Sequence, residues 1–178
     1  MNQYACAITG HRPARFVFGY QENHPLCQKI KQRLKALFRI LHDRKNVCRF
    51  YVGGALGVDM WAGEQLLELR KRPGYEDIEL VIVLPFSGHD DRWPEESRTR
   101  LNKLIQQASD CIVLSPTPDT SSYHQRNCYM VDHASYLIGV FDNERKMRSG
   151  TAQTVRYAQR QGKSIILVHP DTGEITPL

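Results

Sequence analysis

Two glycine-centred segments of this chain carry residue types that bind phosphate. Residues 51–59 read Tyr-Val-Gly-Gly-Ala-Leu-Gly-Val-Asp and residues 148–154 read Arg-Ser-Gly-Thr-Ala-Gln-Thr, and each joins an apolar run to a helical pattern. A helix N-terminus presents free backbone amides and a partial positive charge to an anion. We therefore predict that both segments bind the phosphate of a nucleotide-type ligand. The residues assigned to this role are Gly53, Gly54, Gly57, Ser149, Gly150 and Thr151.

Each glycine segment also has a purely structural interpretation. The first lacks the G-x-G-x-x-G spacing of dinucleotide-binding proteins and the Gly-Lys-Ser/Thr of a Walker loop. Its glycines would let a ligand approach the backbone closely, but they could equally form a tight turn. Asp59, just inside the next helix, could favour the helix dipole or accept a hydroxyl group. Ser149 could be a plain N-cap.

Two arginines are placed to add positive charge to the same site. Arg12 follows the first apolar run together with Gly10 and His11, and Arg126 precedes Asn127 near the start of a helical pattern. A planar guanidinium pairs with phosphate or carboxylate through two N–H groups. The alternatives are a solvated surface arginine in each case and, for the histidine, a hydrogen bond to the backbone.

Aromatic side chains near the same strand ends could cover a base or a ribose. Phe86 follows Pro85 at the end of an apolar run, and Trp93 ends the polar segment after it. An aromatic ring offers such a ligand a large apolar face. Trp61 lies within the apolar pattern of a helix, so we assign it to the core.

Short apolar runs alternate with helical patterns along the whole chain. The predicted strands are 4–9, 49–52, 78–84, 111–114, 136–141 and 164–168, and the predicted helices are 25–41, 58–69, 94–108, 123–133 and 151–161. Such alternation implies an α/β fold of three layers, with a mostly parallel sheet of about six strands and helices on both faces. Ligands bind such sheets beyond the carboxyl ends of the strands, the edge to which the candidate residues map.

Length and composition narrow the class of protein. A chain of 178 residues fits one domain, and we predict a single domain over residues 1–178. The chain is 41% hydrophobic and 24% charged, which does not favour disorder. The longest apolar run, residues 80–84, is too short to span a bilayer, and Met-Asn-Gln-Tyr does not begin a secretory signal. We expect a cytoplasmic protein without membrane contact.

Charge and cysteine usage bear on partners and cofactors. The net charge of +5 favours a phosphorylated or polyanionic partner, so nucleic acid stays an alternative. The basic runs 70–72 and 145–148 lack interleaved aromatics, which favours a solvated surface. The five cysteines, at positions 6, 27, 48, 111 and 128, have no C-x-x-C spacing. We predict buried reduced thiols, no metal site and no cofactor.

Taken together, these motifs resemble the YpsA family of the SLOG superfamily. This group of Rossmann-like proteins also contains the DNA-processing protein DprA and the LOG phosphoribohydrolases. The resemblance covers nearly the whole chain. It rests on Ile-Thr-Gly-His-Arg-Pro at 8–13, Gly-Ala-Leu-Gly-Val-Asp-Met-Trp-Ala at 54–62, Pro-Phe at 85–86, Gln-Arg-Asn at 125–127 and Gly-Thr-Ala at 150–152. It implies a SLOG fold with a crevice for a nucleotide or a nucleotide-derived ligand.

The LOG branch is similar to this chain at two motifs that matter for chemistry. Its Met-His-x-Arg-Lys motif resembles residues 123–127, which carries the ligand-binding arginine over to Arg126 and the lysine to Asn127. Its Pro-Gly-Gly-x-Gly-Thr-x-x-Glu motif resembles the segment ending at 150–154, which carries the carboxylate that assists N-glycosidic cleavage over to Thr154. A threonine cannot act as a base near neutral pH. We therefore expect binding without catalysis.

Three hypotheses follow. The leading one is a cytoplasmic protein that binds or senses a mononucleotide or an ADP-ribose-like molecule. The first alternative is a LOG-like phosphoribohydrolase, or a related N-glycosidic hydrolase, in which Asp59, Asp142 or Glu144 replaces the missing carboxylate. The second alternative is a DprA-like DNA-associated protein, with affinity that falls steeply with salt. The LOG resemblance would also suit a homodimer.

Overall fold

The computed structural model describes residues 4–178, and its strands form one sheet. The strands are β1 (Tyr4–Gly10), β2 (Val47–Val52), β3 (Glu79–Leu84), β4 (Asp110–Val113), β5 (Tyr136–Val140), β6 (Ser164–Val168) and β7 (Ile175–Pro177). Their order across the sheet is β4-β3-β2-β1-β5-β6-β7. All neighbouring pairs are parallel except β6 and β7. The predicted α/β fold with a mostly parallel sheet is confirmed.

The seventh strand is the feature that the predicted count of about six did not include. β7 is three residues long, all exposed, and pairs antiparallel with β6 through Ile166 and Pro177, Leu167 and Thr176, and Val168 and Ile175. A short edge strand without a buried face has no apolar run by which to recognise it.

Within residues 4–178, five α-helices cover the two faces of the sheet. They are α1 (Pro25–Lys45), α2 (Val58–Arg70), α3 (Glu95–Gln107), α4 (Ser122–Asp132) and α5 (Gly150–Arg160). α1 packs on α2, and α2 on α3, over one face, while α4 and α5 pack together over the other. The buried residues form two cores, the first under α1, α2 and α3 and the second under α4 and α5. Because side chains alternate along β1, Ile8 lies in the first core and Ala7 in the second. Among the helices of residues 4–178, none is both long and apolar enough to cross a membrane.

The long segment between β1 and α1 is folded onto the first core. Phe16 and Phe18 are each 4% exposed, and their rings lie 5.2 and 5.8 Å from the Trp61 ring. Trp61 itself is 1% exposed, which confirms its predicted place in the core. Glu22, near the end of the segment, accepts hydrogen bonds from Arg100 of α3 at 2.6 and 2.9 Å. These contacts attach the segment to helices α2 and α3.

Three of the five cysteines are buried, as expected. Cys6, Cys27 and Cys48 are buried, Cys111 and Cys128 are half-buried, and all five are free thiols. Burial raises the pKa of Cys6 and Cys27, the latter to about 11. These two groups are therefore inert protonated thiols near neutral pH.

The sheet order places its switch point next to β1. β2 lies on one side of β1 and β5 on the other, and the chain after β1 and the chain after β5 turn to opposite faces. Loops that diverge in this way leave a crevice above the carboxyl ends of the strands. The crevice of this protein therefore lies between the loop after β1 and the N-termini of α4 and α5.

Candidate functional site

A cavity of about 310 Å³ occupies this crevice, near the lower limit for small-molecule sites. The β1 end, the start of α2, α4 and the N-terminus of α5 all contribute side chains or backbone. The lining residues are Thr9, Gly10, His11, Arg12, Ala55, Asp59, Tyr123, Arg126, Asn127, Met130, Ser149, Gly150 and Thr151.

Arg126 is the most firmly held charged group of the cavity. It projects from α4 and is 5% exposed. Its guanidinium donates to the carbonyl oxygens of Gly53 and of Val83, the latter at 3.4 Å, and its Nε donates to the Asn127 side chain at 2.8 Å. Burial lowers the pKa of Arg126, while the nearby Asp59 carboxylate raises it. A buried guanidinium fixed by backbone acceptors is pre-organised to meet an anion.

Asp59 is the one carboxylate among the lining residues of the described chain. It lies in the first turn of α2, is 7% exposed, and its Oδ2 accepts from the Ala55 amide at 3.1 Å. Burial raises the pKa of Asp59, while Arg126 opposes the rise. No ion pair within 4.0 Å joins the two among the described residues. Both groups therefore retain atoms that a ligand could contact.

Gly53 leaves the space in which these two charged side chains lie. A Cβ at this position would meet the Arg126 guanidinium, and would stand 2.7 Å from Oδ2 of Asp59. Gly53 does not itself line the cavity. Its smallness therefore serves the arrangement of the charged pair.

The other glycines at this edge pack one loop against another. A Cβ on Gly57, whose φ is +90°, would lie 2.6 Å from the carbonyl oxygen of His11. A Cβ on Gly10 would lie about as close to the side chain of Val58, at 2.5 Å. Gly54, with φ of +66°, packs against Leu84. Gly10 and Gly57 thus hold the loop after β1 against the start of α2.

The N-terminus of α5 supplies backbone amides to the cavity. Ser149 is the N-cap, and its hydroxyl oxygen accepts from the Ala152 amide at 3.1 Å, so the plain N-cap interpretation holds for its side chain. Gly150 and Thr151, the first two helical residues, line the cavity. Their amides have no intrahelical acceptor, as in any first turn. An anion in the cavity would lie at the positive end of the helix dipole.

Thr154 lies one turn further along α5 than Gly150 and does not line the cavity. It is 3% exposed, and its hydroxyl donates to the Gly150 carbonyl oxygen at 2.7 Å. The hydroxyl is thus engaged within α5. At the position where the LOG resemblance implies a catalytic carboxylate, this chain has a buried helical hydrogen bond.

Tyr123 was missed by sequence analysis as a lining residue. Tyr123 is 37% exposed, and the guanidinium carbons of Arg12 and Arg126 lie 5.4 and 5.7 Å from its ring centroid. Phe86 packs edge-on against it at 5.9 Å. Phe86 thus supports the aromatic wall of the cavity from behind, while Tyr123 forms it.

His11 is a buried part of the cavity wall. His11 is 7% exposed and its Nε2 has no hydrogen-bond partner among residues 4–178. Burial lowers the pKa of His11, and the charge of Arg15 lowers it further. Its ring lies 6.3 Å from that of Phe16 and 5.9 Å from that of Phe141. The unpartnered nitrogen is a buried polar atom that a ligand could satisfy.

The structure brings most of the predicted site residues together, but not all. The predicted residues that line the cavity are Gly10, His11, Arg12, Asp59, Arg126, Asn127, Ser149, Gly150 and Thr151. The predicted residues outside the lining are Gly53, Gly54, Gly57, Pro85, Phe86 and Trp93. Lining residues that were not predicted are Thr9, Ala55, Tyr123 and Met130. Helical periodicity could have identified Tyr123, because it lies one turn before Asn127 on α4.

Trp93 lies outside the cavity, beside His89. The buried His89 bonds the Gly54 carbonyl oxygen through Nε2 at 3.0 Å, and its ring lies 5.2 Å from that of Trp93. Trp93 packs against the first core cluster. Trp93 therefore packs beside His89, which in turn holds the turn at Gly54.

Comparison with known sequences finds bacterial relatives of comparable length. A UPF0398 protein of Staphylococcus epidermidis is 28% identical over 141 residues, covering 78% of this chain and 73% of that protein. The uncharacterized SPβ prophage-derived protein YoqJ of Bacillus subtilis is 28% identical over 162 residues, covering 83% of this chain and 92% of that protein.

Two solved structures share the fold. The structure of TM1055, a structural-genomics target, has a TM-score of 0.59 at 16% identity over 96% of this chain and 77% of that one. DNA processing protein A of Helicobacter pylori, described by its single-stranded DNA binding mode, has a TM-score of 0.60 at 24% identity. That match covers 92% of this chain and 64% of that one. At these identities the likeness shows the fold alone.

The family follows from a match that spans the chain. The model of the YspA SLOG family, named YpsA, matches residues 6–172, which include every strand from β2 to β6 and all five helices. The match contains all the residues that line the cavity. The predicted resemblance is confirmed: this chain belongs to the YspA SLOG family.

Proposed function

We propose that this protein binds a nucleotide-derived ligand, a mononucleotide or an ADP-ribose-like molecule, in the cavity at the switch point and does not transform it. One observation carries the proposal. The amides of Gly150 and Thr151 and the guanidinium groups of Arg12 and Arg126 border one cavity. Free helix amides and arginines are the two groups that proteins use most readily for phosphate.

Phosphate would lie at the N-terminus of α5. Arg126 supplies a fixed charge there, since its other hydrogen bonds go to backbone and to Asn127. Arg12 is exposed and makes its described aromatic contact through the Tyr123 ring, so its guanidinium is free to turn toward a ligand. One rigid and one adjustable arginine suit a ligand that enters from solvent.

The rest of the ligand has matching partners in the same cavity. The Asp59 carboxyl group suits the hydroxyl groups of a ribose, because its oxygens accept hydrogen bonds. The Tyr123 ring, 37% exposed, offers an apolar face to a base. The pairing of a carboxylate with a cationic phosphate site favours a nucleotide over inorganic phosphate.

The same geometry argues against N-glycosidic hydrolysis. The Thr154 hydroxyl donates within α5, and Asp142, one substitute considered for the missing carboxylate, lies outside the lining and pairs with Arg15 at 2.9 Å. Asp59 is left as the one lining carboxylate of the described chain. If it were a catalytic group, Asp59→Asn would abolish product formation while binding persisted.

The binding proposal is tested by thermal shift and calorimetry with AMP, ADP-ribose and NAD, each also incubated and analysed for products. Loss of one charge-assisted hydrogen bond costs about 1.5–3 kcal/mol, so Arg12→Gln and Arg126→Gln should weaken binding about tenfold or more. The matched control is Arg33→Gln, on the exposed face of α1. Because Arg12 is exposed, its effect cannot come from a disturbed core.

Three outcomes decide among the functions. Binding of an unchanged nucleotide, weakened by both cavity variants and not by the control, supports the proposal. Free base and ribose phosphate as products would replace it with the hydrolase. Equal affinity for the two cavity variants and the wild type, or no binding of any nucleotide, would refute it.

Single-stranded DNA is a second candidate, favoured by the fold shared with DNA processing protein A and by the net charge of +5. For electrostatic DNA binding, the logarithm of the binding constant falls linearly with the logarithm of the salt concentration. Fluorescence polarisation with a labelled oligonucleotide at several salt concentrations measures that slope. A nucleotide-specific cavity would instead show little dependence on salt and competition by free mononucleotide.

A further inference from the structure

A second cluster of reactive side chains lies at the opposite edge of the sheet from the cavity. His42 belongs to the last turn of α1, Cys48 to the start of β2, and Asp77 to the turn just before β3. One nitrogen, sulfur or oxygen atom of each lies within 4.8 Å of those of the other two. His42 Nε2 is 2.8 Å from Oδ1 of Asp77, and Cys48 Sγ is 3.1 Å from its Oδ2.

We propose that His42, Cys48 and Asp77 bind a divalent transition-metal ion, with zinc as the chemically matched ion and a water molecule as fourth ligand. Thiolate, imidazole and carboxylate are the protein ligands of zinc, and three of them with one open position form a common tetrahedral set. The Asp77 side chain is 55% exposed, so the cluster is open to solvent on that side. The buried Cys48 closes the other side.

A fourth side chain supports the histidine as a ligand. Asp43 Oδ1 lies 3.0 Å from Nδ1 of His42, and Asp43 Oδ2 accepts from the Tyr75 hydroxyl at 3.1 Å. A carboxylate on the outer ring nitrogen is the usual way in which a metal-ligating histidine is oriented. With its Nδ1 proton donated to Asp43, the imidazole presents Nε2 to the cluster.

The distances are slightly short for a bound ion and can open. Zinc bond lengths and tetrahedral angles require about 3.3 Å between nitrogen and oxygen ligands and about 3.6 Å between sulfur and oxygen. The observed distances run to the two different oxygens of Asp77, 2.8 Å from Nε2 to Oδ1 and 3.1 Å from Sγ to Oδ2, and each is short by about half an ångström. Asp77 can move by this amount because it lies on an exposed turn, whereas Cys48 is 2% exposed in the sheet. On binding, the ion displaces the thiol proton of Cys48 and the Nε2 proton that His42 shares with Asp77, and both protons pass to solvent.

The sequence predicts no metal site because its cysteines lack paired C-x-x-C spacing. Here the ligands come from three elements, and Asp77 is 35 residues from His42 and 29 from Cys48. Only the parallel register of β2 and β3, with Arg49 opposite Glu79, brings the two strand starts together.

Cobalt(II) titration of the full-length protein tests the proposal, because cobalt substitutes for zinc and has visible spectra. We expect a thiolate-to-cobalt charge-transfer band at one equivalent of metal, together with tetrahedral d–d bands. Asp77→Asn and Cys48→Ser should remove this signature. The matched control is Cys128→Ser, since Cys128 Sγ lies 3.6 Å from Nε2 of His124 and forms the rival thiol–imidazole pair.

Zinc affinity, measured by competition with a chromophoric chelator, tests the orienting residue. Asp43→Asn should weaken zinc binding about 10- to 100-fold, the usual effect of removing a partner of a ligating histidine. Thermal unfolding of each variant without metal separates loss of binding from loss of fold. The exposed Asp77 provides a variant whose fold should persist.

The proposal is overturned by any of three results. These are no thiolate band in the wild type at stoichiometric cobalt, a band that survives Asp77→Asn at full affinity, or a band lost in Cys128→Ser and kept in Cys48→Ser. Retention of the band in Cys128→Ser, with loss in a folded Asp77→Asn, supports it.

Discussion

Replacing Gly57 with alanine would separate the two loops that build one side of the cavity. Gly57 has φ of +90° and ψ of −127° at the start of α2. An alanine there would suffer a backbone strain of about 1–3 kcal/mol. Its Cβ would also lie 2.6 Å from the His11 carbonyl oxygen, a backbone atom that cannot rotate away. Such overpacking costs about 1–3 kcal/mol, so the free energy of unfolding should fall by about 2–6 kcal/mol.

Gly74 provides a control with nearly the same φ, +89°, and without the close contact. Apart from its two chain neighbours, no atom of residues 4–178 lies within 4 Å of where its Cβ would be. Gly74→Ala should therefore show the conformational cost without the contact. The difference between the two variants isolates the contact with His11, which we expect to be at least about 1 kcal/mol.

Equilibrium unfolding in denaturant measures both variants, and nucleotide titration of the folded protein measures the site. The loop after β1 carries Arg12, so Gly57→Ala should also weaken nucleotide binding, whereas Gly74→Ala should leave it unchanged. Equal destabilisation by the two variants would refute the argument that Gly57 is required by loop packing. Unchanged nucleotide affinity in a folded Gly57→Ala protein would refute the link between this packing and the site.

Three further outcomes are expected. Tyr123→Ala should weaken nucleotide binding by about 1–3 kcal/mol. Trp93→Ala should weaken it much less, because Trp93 lies outside the cavity. Equal losses of affinity in calorimetry would contradict the assignment of Tyr123 to the cavity wall. Burial alone would raise the pKa of Glu22, but hydrogen bonds, led by those from Arg100, lower it to about 2. The stability that these hydrogen bonds contribute is therefore present above about pH 4.3. It is lost as the pH falls toward 2. Thermal unfolding should therefore show a shallower loss over this range for Glu22→Gln, and a parallel loss would contradict the pairing. Thr154→Glu would bury a charge and lower the free energy of unfolding by about 3–5 kcal/mol. We expect this variant to release no ribose phosphate from AMP, as measured by product analysis. Product would contradict the assignment of Thr154 to a hydrogen bond within α5.

The order of elements was predictable because each strand with a buried face has an apolar run. Residues 78–84 are apolar at almost every position and become β3, which is buried on both faces of the sheet. β7 lacks this signal, since all three of its residues are exposed. Sequence periodicity reports burial, and an edge strand that is held by backbone hydrogen bonds alone leaves none.

The position of the cavity was predictable, and its lining less so. Topology brings every loop after a parallel strand to one edge, which places Arg12, Arg126 and Gly150 together without knowledge of side-chain packing. The motif also suggested that glycines in residues 53–57 touch the ligand. Instead they lie behind the lining, because their missing Cβ atoms make room for Arg126, for Leu84 and for the His11 carbonyl group. A glycine pattern predicts that another group approaches the backbone closely, but it does not distinguish a ligand from a part of the same protein.

This close approach explains how the groups that line the cavity differ. Gly10 and Gly57 interlock the backbone of the loop after β1 with α2, and Gly53 makes room for Arg126, so these parts are set before any ligand arrives. The Arg12 side chain on the same loop is exposed, and Tyr123 on α4 is partly exposed. Preformed parts reduce the entropy lost on binding, while adjustable side chains permit entry and closure. Affinity for the phosphate should therefore depend on the fixed Arg126, and discrimination among nucleotides on Arg12 and Tyr123.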